Sequence, residues 1–100
     1  MKLGGNYNEY FTVIKSVTKE LKNTIQNPQL RKYVTKIWMI QDKETEEISY
    51  AIFFKAGKVK NSYDDEYFWE DDFTESPNED INGWLEEITY IPEVEEEKRK

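Results

Sequence analysis

Residues Tyr33 to Lys55 read YVTKIWMIQDKETEEISYAIFFK, and the fold turns on this stretch. Its first part, Tyr33–Gln41, is rich in β-branched and aromatic residues, which suit a pleated, half-buried surface. A polar run of five, Asp42-Lys43-Glu44-Thr45-Glu46, interrupts it with the composition of a hairpin loop. Ile48, Tyr50, Ile52 and Phe54 then alternate with Ser49, Ala51, Phe53 and Lys55, the period of a strand with one favoured face. Ala56-Gly57 supplies a tight turn into a shorter strand over Lys58–Tyr63. The expectation is a three-stranded antiparallel meander.

Outward from this centre, both flanks read as helical. Towards the N-terminus, Tyr10, Ile14, Val17, Leu21 and Ile25 recur at helical spacing, with Phe11 and Val13 widening the stripe. The spacing predicts a helix over Asn8–Ile25, capped by Asn6 or Asn8 and ended by Asn27-Pro28, because the residue before proline avoids helical geometry. Towards the C-terminus, Ser76-Pro77-Asn78-Glu79 has the form of a capping box, followed by Ile81, Trp84, Leu85 and Ile88 on one face. This predicts a short helix over Pro77–Ile88, a brief strand at Thr89-Tyr90-Ile91, and a charged tail from Glu93 to Lys100. The expected fold is therefore α+β in a single domain, residues 1–100. An N-terminal helix packs on a three-stranded antiparallel meander, followed by an acidic loop and a short C-terminal helix.

Composition removes much chemistry. The chain of 100 residues has no cysteine and no histidine, so disulfides, thiol nucleophiles and Ser-His or Cys-His catalysis are excluded. Clustered Asp and Glu suit hard cations, but the EF-hand spacing is absent and adjacent acids diverge. Gly4-Gly5 and the lone Gly57 form no phosphate cradle. The expectation is a non-enzymatic protein with no cofactor and no metal. No apolar run approaches the length that spans a bilayer, and Met1-Lys2-Leu3-Gly4-Gly5 is too short and polar for a secretory leader, so a cytoplasmic location is expected.

The charge is sharply segregated. Residues 1–63 hold eleven bases against six acids, whereas residues 64–97 hold fifteen acids and no base. At the head of the acidic part stands Ser62–Phe73, SYDDEYFWEDDF, with six acids and five aromatics. A loop anchored by inward aromatics would fix its carboxylates in place. Such an array resembles the phosphate charge of a nucleic acid, and a basic cleft would be drawn to it by electrostatic steering. The candidate partner-binding residues are Asp64, Asp65, Glu66, Glu70, Asp71, Asp72 and Glu75 as phosphate surrogates, with Glu79, Asp80, Glu86 and Glu87 extending the array. Trp69 is the candidate aromatic anchor.

In size, element order and segments such as Tyr63-Asp64-Asp65-Glu66-Tyr67 and Asn82-Gly83-Trp84-Leu85-Glu86-Glu87, the chain resembles the small acidic inhibitors of phages and mobile elements, among them type II anti-CRISPR proteins and anti-restriction DNA mimics. The resemblance implies a protein that occludes the DNA-binding groove of a basic nucleic-acid-binding partner, a nuclease effector above all, acting as a monomer or small homo-oligomer without binding DNA itself. Two other expectations remain open. One is an immunity or antitoxin-like protein capping a basic toxin. The other is a single-stranded nucleic-acid-binding protein using Lys36, Lys55, Lys58 and Lys60 beside Trp38, Tyr50, Phe53 and Phe54, with an acidic regulatory C-terminal region.

Overall fold

The computed structural model describes residues 2–92. Its centre is the expected hairpin: β2 (Val34–Asp42) and β3 (Ile48–Phe54) pair antiparallel from Gln41 opposite Ile48 to Val34 opposite Phe54. The loop closes as a turn organised by Asp42, whose Oδ1 accepts the Glu44 N–H at 2.7 Å and the Thr45 N–H at 2.9 Å. The Glu46 N–H donates to the Asp42 carbonyl as well, so Asp42 oxygens accept three N–H groups of this turn. Two further strands flank the hairpin, β1 (Phe11–Ser16) beside β2 and β5 (Phe73–Ser76) beside β3, giving a four-stranded antiparallel sheet in the order β1-β2-β3-β5. A separate two-stranded sheet joins β4 (Lys60–Asn61) to β6 (Thr89–Tyr90). The molecule is a small α+β protein.

The predicted helix over Asn8–Ile25 is not formed. In its place are a single turn, α1 (Tyr7–Tyr10), then β1, then α2 (Thr18–Lys22). The physical reason lies in Thr12-Val13-Ile14, three consecutive β-branched residues that lose rotamer freedom in a helix and pack well on an open sheet edge. Of the supposed apolar stripe, Val17 and Ile25 are buried, but Tyr10 and Ile14 are 58% and 41% exposed, so no continuous helical face exists. Asn27-Pro28 starts a helix rather than ending one. Asn27 Oδ1 accepts the N–H groups of Gln29 and Leu30, Pro28 occupies the first helical position, and α3 runs Pro28–Tyr33 before β2 begins at Val34.

Three corrections apply downstream. The strand expected over Lys58–Tyr63 forms only at Lys60–Asn61, and it pairs with β6 instead of extending the meander; the place beside β3 goes to β5. Consequently the acidic loop Asp64–Glu75 ends in strand, with Phe73, Thr74 and Glu75 in register with Phe53, Ile52 and Ala51. Nor does the capping box form: Ser76 ends β5, is fully buried, and its hydroxyl donates to the Asn78 carbonyl. The helix α4 starts at Ile81 and ends at Ile88, with no side-chain cap from Asp80. The brief strand at 89–91 is present as β6, and the tail from Glu93 lies outside the described residues.

Both faces of the sheet are covered. Ile37, Ile52 and Phe54 point to one side, where Val17, Leu30, Ile81, Leu85 and Ile88 from the helical segments pack with Val59 and Phe68. Trp38, Ile40, Ala51 and Phe53 point to the other, under Leu3, with Phe11, Val13 and Phe73 at the margin. One favoured face was expected for β3. Its uninterrupted run Ala51-Ile52-Phe53-Phe54 instead suits a strand buried on both sides. The N-terminal arm provides the second cover, fixed where the Leu3 N–H donates to Asn8 Oδ1 at 3.2 Å.

Candidate acidic interface

The acidic segment is held by few apolar pins and many backbone bonds. Val59 and Phe68 are buried, and the Phe68 ring lies 4.6 Å from that of Phe54. Around them the Gly57 N–H donates to the Phe68 carbonyl, the Phe68 N–H to Val59 and the Asn61 N–H to Glu66, at 2.8–3.0 Å. Phe73 is the second pin, 5.3 Å from Phe53 and edge-on to Tyr7 at 4.8 Å. Between the pins lie two tight turns. In the first, Asn61 Oδ1 accepts the Tyr63 N–H at 2.8 Å, Asp64 Oδ1 accepts the Glu66 N–H at 3.1 Å, and Asp65 adopts a left-handed φ of 62°. In the second, the Trp69 N–H donates to Asp72 Oδ2 at 2.8 Å while the Asp72 N–H donates back to the Trp69 carbonyl at 3.0 Å. Aspartates are thus structural parts of both turns, a role that their short acceptor side chains suit.

All eleven carboxylates from Asp64 to Glu87 are exposed, but their surroundings differ. Asp64, Glu66 and Asp72 converge on a hollow of about 220 Å³ walled by Tyr7, Tyr67 and Phe73, with no base among its lining residues. Asp71 sits at the outer turn against the N-terminal arm near Gly4. Glu70 faces another way, into a hollow of about 410 Å³ that it shares with Lys36 and Lys55. Glu75 accepts the Ser49 hydroxyl at 2.8 Å on Oε2 and shares a hollow of about 180 Å³ with Asp42 and Glu47. Glu79 lies near Tyr50, whose phenol is pushed above its ordinary value by burial and then by that charge. Glu87 accepts the Tyr63 hydroxyl at 3.2 Å, which raises the Tyr63 phenol in turn. Glu86 lines a cleft between α3 and α4, and Asp80 stands exposed ahead of α4.

Asp65 is the exception. Its Oδ1 is 3.7 Å from Lys60 Nζ, the one ion pair among the described residues, and it also accepts the Tyr90 hydroxyl. That bond raises the Tyr90 phenol, since the neutral form keeps the proton it donates. Lys60 further covers the Tyr67 ring at 4.9 Å. Asp65 therefore ties β4 to β6, while its neighbours Asp64 and Glu66 have no ion-pair partner among the described residues. Trp69 is 56% exposed, 5.8 Å from the Tyr67 ring, and rests on Gly57. A Cβ at Gly57 would come within 3.1 Å of that indole, at a backbone φ of +74°. With Tyr63 at 73% exposure, Tyr67 and Tyr90, Trp69 forms an open aromatic surface beside the acids.

Sequence reasoning missed Asp42 and Glu47. They were counted with the basic half, yet the antiparallel register of β5 on β3 carries Glu75 to their end of the sheet. Asp42 is held below the ordinary carboxylate value by the Thr45 and Glu44 N–H groups. The signal was present in the loop itself, where Asp42, Glu44, Glu46 and Glu47 stand around one lysine. By contrast, the rings considered for stacking on bases are not available: Trp38, Phe53 and Phe54 are buried, Tyr50 is half-buried, and Lys36 Nζ lies 4.6 Å over Trp38 and 4.7 Å over Phe53. Among the described residues no group of three acids is arranged to hold a metal, and no helix is long and apolar enough to cross a membrane. No protein-family model, no curated protein and no solved structure matches the chain.

Proposed function

We propose that this protein is a non-enzymatic inhibitor that acts in the cytoplasm by presenting its acidic segment to the basic DNA-binding cleft of a nuclease or another DNA-handling protein. The observation that supports this reading most strongly is the state of the eleven carboxylates between Asp64 and Glu87: all are exposed and only Asp65 is ion-paired within the described residues. A surface that only kept the protein soluble would gain from interspersed lysines. An array of eleven carboxylates with one ion pair among the described residues instead keeps most of its charge available for a cationic partner. Duplex DNA carries one charge per roughly 1.7 Å, so the ten carboxylates with no ion-pair partner among the described residues match the charge of about 17 Å of duplex.

In this reading the work is divided. Asp64, Glu66, Asp71 and Asp72 supply the phosphate-like charge that steers encounter, with Glu75, Glu79, Asp80, Glu86 and Glu87 extending it. Trp69, set on Gly57 and Tyr67, supplies the apolar contact that phosphates lack. Inhibition is by occupancy, so it needs no cofactor and no chemistry. The test is competition: duplex DNA should displace the protein from its partner, and raising salt should weaken the complex. The open aromatics Tyr63, Tyr67 and Trp69 favour a second reading, an immunity-type cap over the active site of a basic toxin. For that reading the complex should be indifferent to DNA.

A further inference from the structure

A cleft of about 380 Å³ lies between the start of α3 and the end of α4. That volume is in the range of roughly 300–1,000 Å³ typical of ligand sites. Its apolar part is Leu30, Leu85 and Ile91, and its polar wall includes Gln26, Gln29 and Glu86. Two other amides at the wall are spent within the fold. Asn27 Oδ1 caps α3, while Asn82 accepts the Gln26 N–H and donates to the Thr24 carbonyl, each at 2.9 Å. The side chains of Gln26, Gln29 and Glu86 have no hydrogen-bond partner among the described residues. Among the described residues no base lines the cleft, and Arg31 donates to the Ile25 and Gln26 carbonyls.

We infer that this cleft receives an arginine side chain of the basic partner. A long cationic side chain has an apolar stem and a charged head, and the cleft offers an apolar floor with one carboxylate at its wall. A guanidinium carries five N–H donors in a planar fork. Glu86 can take two, and the amide oxygens of Gln26 and Gln29 can take others. An ammonium presents its three donors around a point and leaves such a planar set underused. Tyr90 lines the cleft, and its hydroxyl bonds Asp65 in the acidic turn at 61–66. The inference rests on the basic-partner reading for the source of the arginine, but the binding itself can be measured without any partner.

The experiment is a titration of the full chain with N-acetyl-L-arginine amide, followed by backbone and side-chain amide NMR shifts. Expected are saturable shifts at Gln26, Gln29, Glu86 and Tyr90, with weaker binding of N-acetyl-L-lysine amide. Glu86→Gln should weaken binding about tenfold or more, because it removes a charge-assisted bond. Gln29→Ala should weaken it less, and Asp71→Lys should leave it unchanged. Equal binding to Glu86→Gln, non-saturable shifts, or shifts confined to Asp64–Asp72 would each overturn the inference. Arginine binding with no DNA-handling partner found would retain the cleft and remove the proposed function; the reverse result would retain the function alone.

Discussion

Two regions of the molecule are built on opposite terms. In the β2–β3 hairpin, apolar residues fill both faces and charge is confined almost entirely to the turn at 42–47. In the segment from Gly57 to Ser76, nine of twenty positions are charged, Val59, Phe68, Thr74 and Ser76 are buried, and Phe73 packs at the margin of the core. The hairpin is ordered by side-chain burial. The acidic segment is ordered by two aromatic pins and by N–H groups delivered to backbone and aspartate oxygens. This difference resolves the mixture of acids and aromatics in Ser62–Phe73: Phe68 and Phe73 are the fasteners, what they fasten is a set of outward carboxylates, and Tyr63, Tyr67 and Trp69 stay open beside them.

The comparison breaks first at the shared pin. Phe54 belongs to the hairpin and Phe68 to the acidic segment, with ring centres 4.6 Å apart. Replacing either by alanine should cost about 3–5 kcal/mol in urea unfolding, the usual range for a buried aromatic. The double variant should cost less than the sum, because each replacement removes part of the other's contact. Strictly additive losses would mean that the two regions are packed independently.

A smaller effect is expected at Gly57. Alanine there meets a positive φ and the Trp69 ring at 3.1 Å, so a loss of about 1–2 kcal/mol is predicted, with an altered tryptophan emission. Unchanged emission would show that the indole does not rest on this glycine.

Turn chemistry sets the next prediction, which is read against pH. Asp42 is depressed below 3.8 by the N–H groups it accepts, so its contribution is complete above the unfolded value and is lost as pH falls through the folded one. Tyr90 behaves with the opposite sign. Its phenol is raised above 10.0 by the bond to Asp65, so that contribution is present below about pH 10 and is lost as pH rises through the raised value. Asp42→Asn should flatten the acid limb of a stability–pH profile, and Tyr90→Phe the alkaline limb. An acid limb unchanged by Asp42→Asn would remove the aspartate from the organisation of the hairpin turn.

How much of this was legible in the sequence follows from the same contrast. The hairpin could be read because its strands carry β-branched and aromatic residues and its loop carries turn-forming ones, all local signals. β1 was hidden because Tyr10, Ile14, Val17, Leu21 and Ile25 happen to share a helical spacing, while the deciding run Thr12-Val13-Ile14 acts only once β2 is there to receive it. β5 was hidden for a similar reason. Phe73-Thr74-Glu75-Ser76 has one large apolar residue, and its pairing depends on an open β3 edge that local pattern does not reveal. Asn27-Pro28 carried two meanings, helix end and helix start, and the capping bonds of Asn27 chose the second.

The candidate site was legible as composition and not as wiring. The base-free run named the carboxylates as outward, and they are exposed, but nothing in it separated Asp65, bound to Lys60 and Tyr90, or Asp72, which caps the Trp69 turn, from Glu66 and Asp71, whose carboxylates have no partner among the described residues. That separation improves the choice of variants. Lysine at Asp72 would damage a turn as well as remove a charge. Glu66→Lys with Asp71→Lys reverses charge where neither side chain has a partner among the described residues. Its stability should stay within about 0.5 kcal/mol of the parent, as is usual for surface changes.

The most direct test of the central claim uses that pair in a competition. The tagged protein and the Glu66→Lys/Asp71→Lys variant are each incubated with bacterial lysate at roughly 50 mM and 500 mM salt, with and without duplex DNA, a range over which screening of exposed charges changes strongly. Any captured protein is identified and then assayed for DNA binding in purified form. The account predicts one basic, DNA-handling protein that is retained at low salt, displaced by duplex DNA, and lost with the variant. A partner held at both salts, indifferent to DNA and equally bound by the variant, or no partner at all, would contradict it.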